Sequence, residues 1–488
     1  MWVDFIRFHA QHQASKAALI DDTSGRRLTY ADLDHEVSQW ATTFDREGLR
    51  KGDRVAMLAN NCVLHVTQFF ACARLGAIFV PLNFRLGKCE LEEQLARLDA
   101  LLFYGRGPCT LEHGSRYRDL DQLVPETAAP VVEAEVADTD PLLMLFTSGS
   151  TGIPKGVLLS AGMLLWNTIN TQSCWGFVGD DVSVVQMPFF HTGGYNVVLL
   201  PLLRLGATLV LVEKFDPARM LELIVQEQIS IFFGVPTMFR MMQQEPSFAV
   251  SDLSSIRFCI SGGAPCPANL IEAFRAKGLP MKQGYGLTEV GPNCFFISDE
   301  DGTAHPDSIG RPMMHLQAVL RDDLGKPVAV GEVGELCLKG PVVCAGYWRM
   351  DEVFTQVCRE GWFHTGDLMR CDEAGLYYVV GRKKDMYISG GENVYPGEVV
   401  RQLVKHPLVE DAVVIAVPDA RWGEVGFAFL RTTAALSLVD LRLFLTPLLS
   451  RYKHPHHLRL LEQFPLLPNN KVDMARLTAR ALKEIGHR

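Results

Sequence analysis

Three short apolar runs, Leu142–Phe146, Ser230–Phe233 and Arg257–Ile260, each stop in a loop of small residues. Around them strand-like and helix-like segments alternate. Arg54–Leu58 reads as a strand, Val63–Leu75 as a helix and Ala77–Pro81 as a strand. Ala207–Val212 is a further strand, and Asp216 followed by Pro217 marks a helix start whose Met220, Leu221 and Ile224 share one face. Repeated strand–helix–strand units predict a largely parallel, doubly wound sheet, and ligands on such sheets bind beyond the carboxyl ends of the strands. The loops after Phe146, Phe233 and Ile260 are therefore expected to line one crevice.

The first of those loops carries the most chemistry. Thr147–Gly156 reads T-S-G-S-T-G-I-P-K-G, with three glycines, two serines, two threonines and one lysine in ten residues. Glycines let backbone N–H groups turn inward, hydroxyls add donors and Lys155 adds charge, which together make a phosphate cradle. The P-loop spacing G-x-x-x-x-G-K-[ST] is not met, because Gly156 follows the lysine. The cradle is of another kind.

At 488 residues the chain is long enough for two or three domains. After about residue 295 the rhythm shifts to short strands, Gln317–Leu320, Gly334–Lys339 and Tyr377–Val380, set between glycine-rich turns. They predict a small β subdomain. Gly381–Asp385, G-R-K-K-D, reads as a charged linker, and beyond it Pro396–Lys405, Ala412–Val417 and Leu438–Ser450 read as helix, strand and helix of a compact α+β unit. A net charge of −9 argues against nucleic acid or an acidic membrane surface as the main partner, so phosphate binding must come from local donors. The twelve cysteines form no C-x-x-C, and His454, His456 and His457 lack both a helical i, i+4 pair and nearby cysteines. No disulfide framework or metal site is expected from them. Asp4 and Arg7 interrupt the apolar N-terminus, and Val197–Val212, broken by Pro201 and Arg204, is too short to span a bilayer. A cytoplasmic protein with no membrane span is expected.

The cradle is joined by G-Y-G-L-T-E (284–289), G-W-F-H-T-G-D-L (361–368), G-R-K-K-D (381–385), S-G-G-E-N-V-Y-P (389–396) and Lys471. In this order and spacing the six motifs resemble the acyl-adenylate-forming superfamily of acyl-CoA and aryl-CoA synthetases, adenylation domains and luciferases. The resemblance covers nearly the whole chain. It implies an α/β fold with a large N-terminal domain of doubly wound sheets and its β subdomain over 1–383, and a mobile α+β C-terminal domain over 384–488. It implies ATP-dependent activation of a carboxylic acid as acyl-AMP, with release of pyrophosphate, followed by transfer to CoA.

Residue by residue, the resemblance places Thr147, Ser148, Gly149, Ser150, Thr151, Gly152 and Lys155 on the ATP phosphates. Thr288 contacts the α-phosphate and Glu289 holds Mg²⁺, a hard ion that prefers such oxygens. Tyr285 and Gly286 flank adenine, with Gly263 and Ala264 along the adenine and acyl pocket. Asp367 and Arg382 take the ribose, and Lys471 bridges carboxylate and α-phosphate as charge builds there. Asn470 stands where many relatives carry glycine; asparagine tolerates left-handed backbone best among the other residues. Lys384 is the implied hinge, and Gly390, Gly391 and Trp422 line the path of the CoA arm.

His191, in P-F-F-H-T-G-G-Y-N, aligns with the position that gates the acyl pocket in the family. Gly193, Val235, Gly262 and Pro292, with Phe189 and Phe190, are the expected walls. They are apolar or small, and no carboxylate lies between Pro188 and Leu203 to bind an α-ammonium group. A medium- or long-chain fatty acid or an aryl acid is expected. Two acceptors stay open, CoA or a free-standing acyl carrier protein, as does the oligomeric state. A non-catalytic nucleotide-binding regulator would have lost Lys471 or Glu289, and both are present.

Overall fold

The computed structural model describes residues 4–129, 131, 133–147, 154–264, 266–467 and 472–486. They divide into two compact units, Met1–Ala318 with Leu338–Phe363, and Val319–Cys337 with His364–Arg488.

The first unit contains two seven-stranded sheets. In one, Met281–Gln283, Phe258–Ser261, Ile231–Gly234, Val182–Val185, Thr208–Leu211 and Ala17–Asp21 run parallel, and Arg27–Thr29 closes the edge antiparallel. In the other, Pro141–Thr147, Ile78–Pro81, Arg54–Leu58, Leu102–Gly105 and Arg116–Asp119 are parallel neighbours. Strand side chains alternate between faces, and the cores follow that period. Leu19, Leu209, Ile231 and Phe258 share one core with Val55, Phe79 and Leu143 of the second sheet. Ile20, Val210, Phe232 and Cys259, one residue along, enter a separate core with Met220, Leu221 and Ile224. Ala56, Ile78 and Val80 enter a third with Leu91 and Leu95. Both faces of each sheet are buried, which is why the strands read as continuous apolar runs.

The helix predicted from Asp216 forms as Pro217–Gln226, with the Asp216 side chain accepting from the Arg219 N–H. Leu142–Phe146 does not feed a helix as its two counterparts do. Its strand, Pro141–Thr147, is followed by the antiparallel strand Lys155–Ser160, with Thr147 opposite Lys155. The cradle thus joins a hairpin on the second sheet, whereas the loops after Phe233 and Ile260 leave the first. Ser148, Gly149, Ser150, Thr151 and Gly152 lie outside the described residues.

In the second unit, Tyr377–Arg382 pairs antiparallel with the part of Trp362–Cys371 that follows Phe363, Asp367 lying opposite Arg382. Val409–Asp419 and Gly423–Thr432 form a long hairpin, flanked by Tyr387–Ser389 and by the parallel strand His457–Leu460. Helices Pro396–Leu403 and Leu438–Leu445 pack on one face through Val399, Leu403, Leu441 and Leu445, and Met474–Gly486 packs on the other through Leu477 and Ala481. The helix expected over Leu438–Ser450 stops at Leu445, because Pro447 has no N–H to continue the ladder. No helix among the described residues is long and apolar enough to cross a membrane.

Candidate active site

Val182–Val185, Ile231–Gly234, Phe258–Ser261 and Met281–Gln283 are parallel neighbours, registered so that Gly234 pairs with Ser261 and Ser261 with Gln283. Their carboxyl ends therefore lie side by side. The loops carrying His191, Val235, Gly262–Ala264 and Gly284–Glu289 all leave from that edge. The ladder continues past the strands, the Gly262 N–H donating to Gly234 O at 3.1 Å and the Gly284 N–H to Ser261 O at 2.8 Å.

Two of the expected acid-pocket residues, Gly193 and Gly262, lie against one ring, that of Phe233. A Cβ on Gly193 would lie 3.4 Å from the Phe233 ring, and one on Gly262 would lie 3.3 Å from it. Gly263, with φ +80°, faces Val235 at 3.5 Å in the same sense. His191 packs against Phe190 with ring centroids 4.8 Å apart. This loop is held from behind by Asn61, whose Nδ2 donates to Met187 O at 2.9 Å while its Oδ1 accepts the Phe189 N–H at 3.1 Å. His65 stacks on Phe189 with centroids 4.9 Å apart, and burial holds its imidazole down at about 3, hence neutral. It is a packing surface.

Pro292 meets the nucleotide turn through its backbone. Its carbonyl oxygen lies against Gly286, where a Cβ would sit only 1.4 Å away. Cys294 N–H donates to Tyr285 O at 3.0 Å, and the Tyr285 ring meets Phe295 edge-on at 5.6 Å. The turn that carries Tyr285 and Gly286 is thereby folded back on the segment after Glu289.

The base of the cradle and the Thr288–Glu289 turn converge on Tyr347. Tyr347 Oη donates to Glu289 Oε1 at 3.0 Å, and Lys155 Nζ lies 4.9 Å from the centre of the same ring. Burial, reinforced by Glu289, pushes the phenol well above its ordinary value, so it stays a donor. Tyr347 is in the two-residue strand Gly346–Tyr347, paired with Val157 of the cradle hairpin. The Cys344 N–H donates to Glu289 O at 2.8 Å, fixing the turn from the same segment. Among the described residues no group of three or more His, Cys, Asp or Glu could hold a metal ion. A divalent ion on Glu289 and the Thr288 hydroxyl would complete its shell with phosphate and water, as hard Mg²⁺ does.

Sequence patterns do not single out Tyr347 or Asn61, because each acts on a segment far away in the chain. Tyr347 is 58 residues from Glu289, and Asn61 is 128 from Phe189. Tyr347→Phe keeps a ring beneath Lys155 but deletes the bond to Glu289. A hydrogen bond to a charged group is worth about 1.5–3 kcal/mol, so the Mg²⁺ concentration for half-maximal pyrophosphate exchange should rise roughly tenfold. An unchanged Mg²⁺ titration would remove Tyr347 from the site.

In the second unit Asp367 is buried, and its Oδ1 accepts from Arg382 Nε at 2.9 Å. The two expected ribose residues thus meet each other. The turn before Asp367 is braced by Glu335 Oε1, which accepts the Gly366 N–H at 3.2 Å, and by Thr365 Oγ1, which accepts the Asp367 N–H at 3.0 Å. Lys384 is exposed in the short turn Lys383–Asp385, and neighbouring Lys383 pairs with Asp323 at 2.8 Å. Gly390 and Gly391 both adopt left-handed backbone, with φ +60° and +90°. Gly390 donates to Trp422 O at 2.9 Å and lies under the half-exposed indole, where a Cβ would come within 2.8 Å. Lys471 lies outside the described residues.

Residues 6–348 match the AMP-binding enzyme family and residues 398–471 match the AMP-binding enzyme C-terminal domain. The chain is 39% identical over 463 residues to a feruloyl-CoA synthase of Amycolatopsis sp, covering 92% of this chain and 93% of that protein. It is 34% identical to an indoleacetate–CoA ligase of Aromatoleum aromaticum, covering 98% of each. Its fold superposes on o-succinylbenzoate CoA synthetase of Bacillus subtilis, solved in complex with ATP and magnesium ion, with a TM-score of 0.89 and 29% identity over 97% of this chain and 99% of that one. These matches show that the chain belongs to the AMP-binding enzyme family and is an AMP-forming acyl-CoA synthetase, an acid–thiol ligase.

Proposed function

We propose that the acid activated here is an aromatic carboxylic acid without a second charge, that Mg²⁺ accompanies ATP at Thr288 and Glu289, and that the thiol acceptor is CoA. The observation carrying the acid is the ring of Phe233 with Gly193 and Gly262 against it, both within 3.4 Å of the ring at the position of a Cβ. Two glycines packed on a phenyl ring present smooth, apolar surface at this edge, which suits contact with a flat aryl group. The relatives named for ferulate and indoleacetate, both acids with aromatic rings, support the same reading.

The remaining roles follow the chemistry. The carboxylate attacks the α-phosphate, pyrophosphate leaves, and the thiol then attacks the acyl carbonyl and expels AMP. Lys155 and the 148–152 loop serve the outgoing phosphates, Tyr285 and Gly286 the adenine, Asp367 with Arg382 the ribose, and Lys471 the charge that grows between carboxylate and phosphate. Adenylation needs a closed phosphate site and thiol transfer an open path. A hinge at Lys384, dividing 1–383 from 384–488, would supply both, and it falls in the interval 349–397 between the two family matches. Gly390, Gly391 and Trp422 would then flank the CoA arm. None of the twelve cysteines is in a disulfide, which supports a reducing, cytoplasmic setting.

The test is a panel. Ferulate, indoleacetate and benzoates are compared with hexanoate to palmitate by pyrophosphate release, each with CoA or with a phosphopantetheinylated carrier protein. An aryl acid with CoA should exceed every fatty acid by at least about tenfold in kcat/KM, the discrimination a shaped apolar pocket can supply. Preference for palmitate would refute the aryl reading, and turnover with the carrier protein alone would refute CoA.

A further inference from the structure

His191 is followed by a π-helical turn, Gly193–Val197, a rare geometry that recurs at functional sites. Its carbonyls are taken by side chains from two other segments. Asn167, on the helix Ala161–Trp175, donates through Nδ2 to Asn196 O at 2.7 Å. Asn293, four residues beyond Glu289, donates through Nδ2 to Thr171 Oγ1 at 2.8 Å, and approaches Asn196 O and Val197 O at 3.3 and 3.4 Å. Thr171 Oγ1 donates in turn to Asn167 O at 2.7 Å. At the other end, Asn196 Nδ2 donates to Thr192 Oγ1 at 3.0 Å, next to His191.

This circuit is dry. Asn167, Asn196, Asn293 and Thr171 are 1%, 1%, 7% and 0% exposed. Hydrogen bonds in such surroundings are electrostatically strong, and losing the donor strands the carbonyls it served. The stretch between Glu289 and Asn293 is also stiff. Gly291 has φ +90°, and a Cβ there would come within 3.0 Å of Asn167 Oδ1. Pro292 follows, its carbonyl held against Gly286.

We propose that Asn293 is a positioning residue that couples the acid pocket to the nucleotide turn, so that acid and Mg²⁺·ATP raise each other's affinity. The inference rests on the proposed placement of the acid beside His191 and Gly193 and of Mg²⁺ at Glu289. Any shift of the Gly193–Val197 turn on acid binding moves Asn196 O and Val197 O. Asn293 passes that shift along the three intervening residues, Val290, Gly291 and Pro292, to Glu289. Linkage requires the effect to run equally in both directions.

The experiment titrates the full chain with α,β-methylene-ATP and Mg²⁺, a probe that cannot release pyrophosphate. It is done with and without ferulate, or whichever panel acid supports the fastest pyrophosphate release. In the unaltered protein the acid should tighten the nucleotide's Kd by roughly tenfold, inside the usual range of coupling between sites. Asn293→Ala should reduce that factor to below about twofold while each ligand's affinity alone changes by less than about threefold. A purely structural role would lower both affinities and leave the factor intact. Should Asn293→Ala fail to fold, Thr171→Val, which deletes one acceptor of the Asn293 amide with little change of volume, should reduce the factor instead. Full coupling in whichever variant folds overturns the proposal, as does independent binding of acid and nucleotide to the unaltered protein. If His191→Ala and Glu289→Gln leave the separate affinities unchanged, the underlying placement is wrong and the proposal falls with it.

Discussion

Lys471→Ala is expected to slow acyl-adenylate formation by about 10²–10³-fold, the range for removing one donor aimed at developing charge, while sparing thioester formation from supplied acyl-AMP. When the carboxylate oxygen meets the α-phosphate, two anions are pressed together. Only a group that is present at that moment, and stronger in the transition state than before it, lowers the barrier. The segment carrying Lys471 is anchored at its base, where Leu466 and Val472 form an antiparallel bridge and the Asp473 N–H donates to Pro465 O at 2.8 Å. Under the proposed hinge at Lys384, the lysine would be delivered for one half-reaction and withdrawn for the other. Pyrophosphate exchange and acyl-AMP-dependent thioester formation, measured separately, decide the matter. Equal loss of both would deny Lys471 its role.

Gly286→Ala should be nearly as damaging, for a reason of space. The added methyl would lie 1.4 Å from Pro292 O and 2.3 Å from its carbon, and both are backbone. Neither side can yield as a flexible side chain would, so the turn bearing Tyr285, Thr288 and Glu289 must move relative to the segment after it. A displacement of about 1 Å in positioned groups costs roughly 10²-fold in rate, and a loss of that order in adenylation is expected. Gly114→Ala provides the contrast, since nothing lies within 4 Å of the added methyl there and its backbone is not left-handed. Adenylation at the unaltered rate in a folded Gly286→Ala protein would show that the close approach is relaxed in solution.

These two predictions have different origins. Lys471 is legible in the chain because its motif is contiguous and because five others stand ahead of it in a fixed order. Gly286 appears in the sequence only as one glycine of a turn. Its necessity comes from a carbonyl six residues later that folds back on it. The same holds for Tyr347 on Glu289 and for Asn293 on Asn196. Their bonds span 58 and 97 residues and leave no spacing to recognise. The ribose pair lies between these extremes. Asp367 and Arg382 each belong to a readable motif, but their mutual hydrogen bond depends on the register of two antiparallel strands.

What the chain's letters alone determined is local. Periods of two and near 3.6 placed the strands and helices, because side-chain direction repeats within a few residues whatever lies outside. The Asp216–Pro217 cap was readable for the same reason, and so were the donor-rich cradle and the family they belong to. Tertiary structure decided what packing decides. It set two of the three loops at an edge of the first sheet and the cradle in a hairpin of the second, paired Pro141–Thr147 with the strand from Lys155, and brought Tyr347 to both Lys155 and Glu289. Such contacts are chosen by which apolar faces must be buried together, and that choice is made by the whole unit at once.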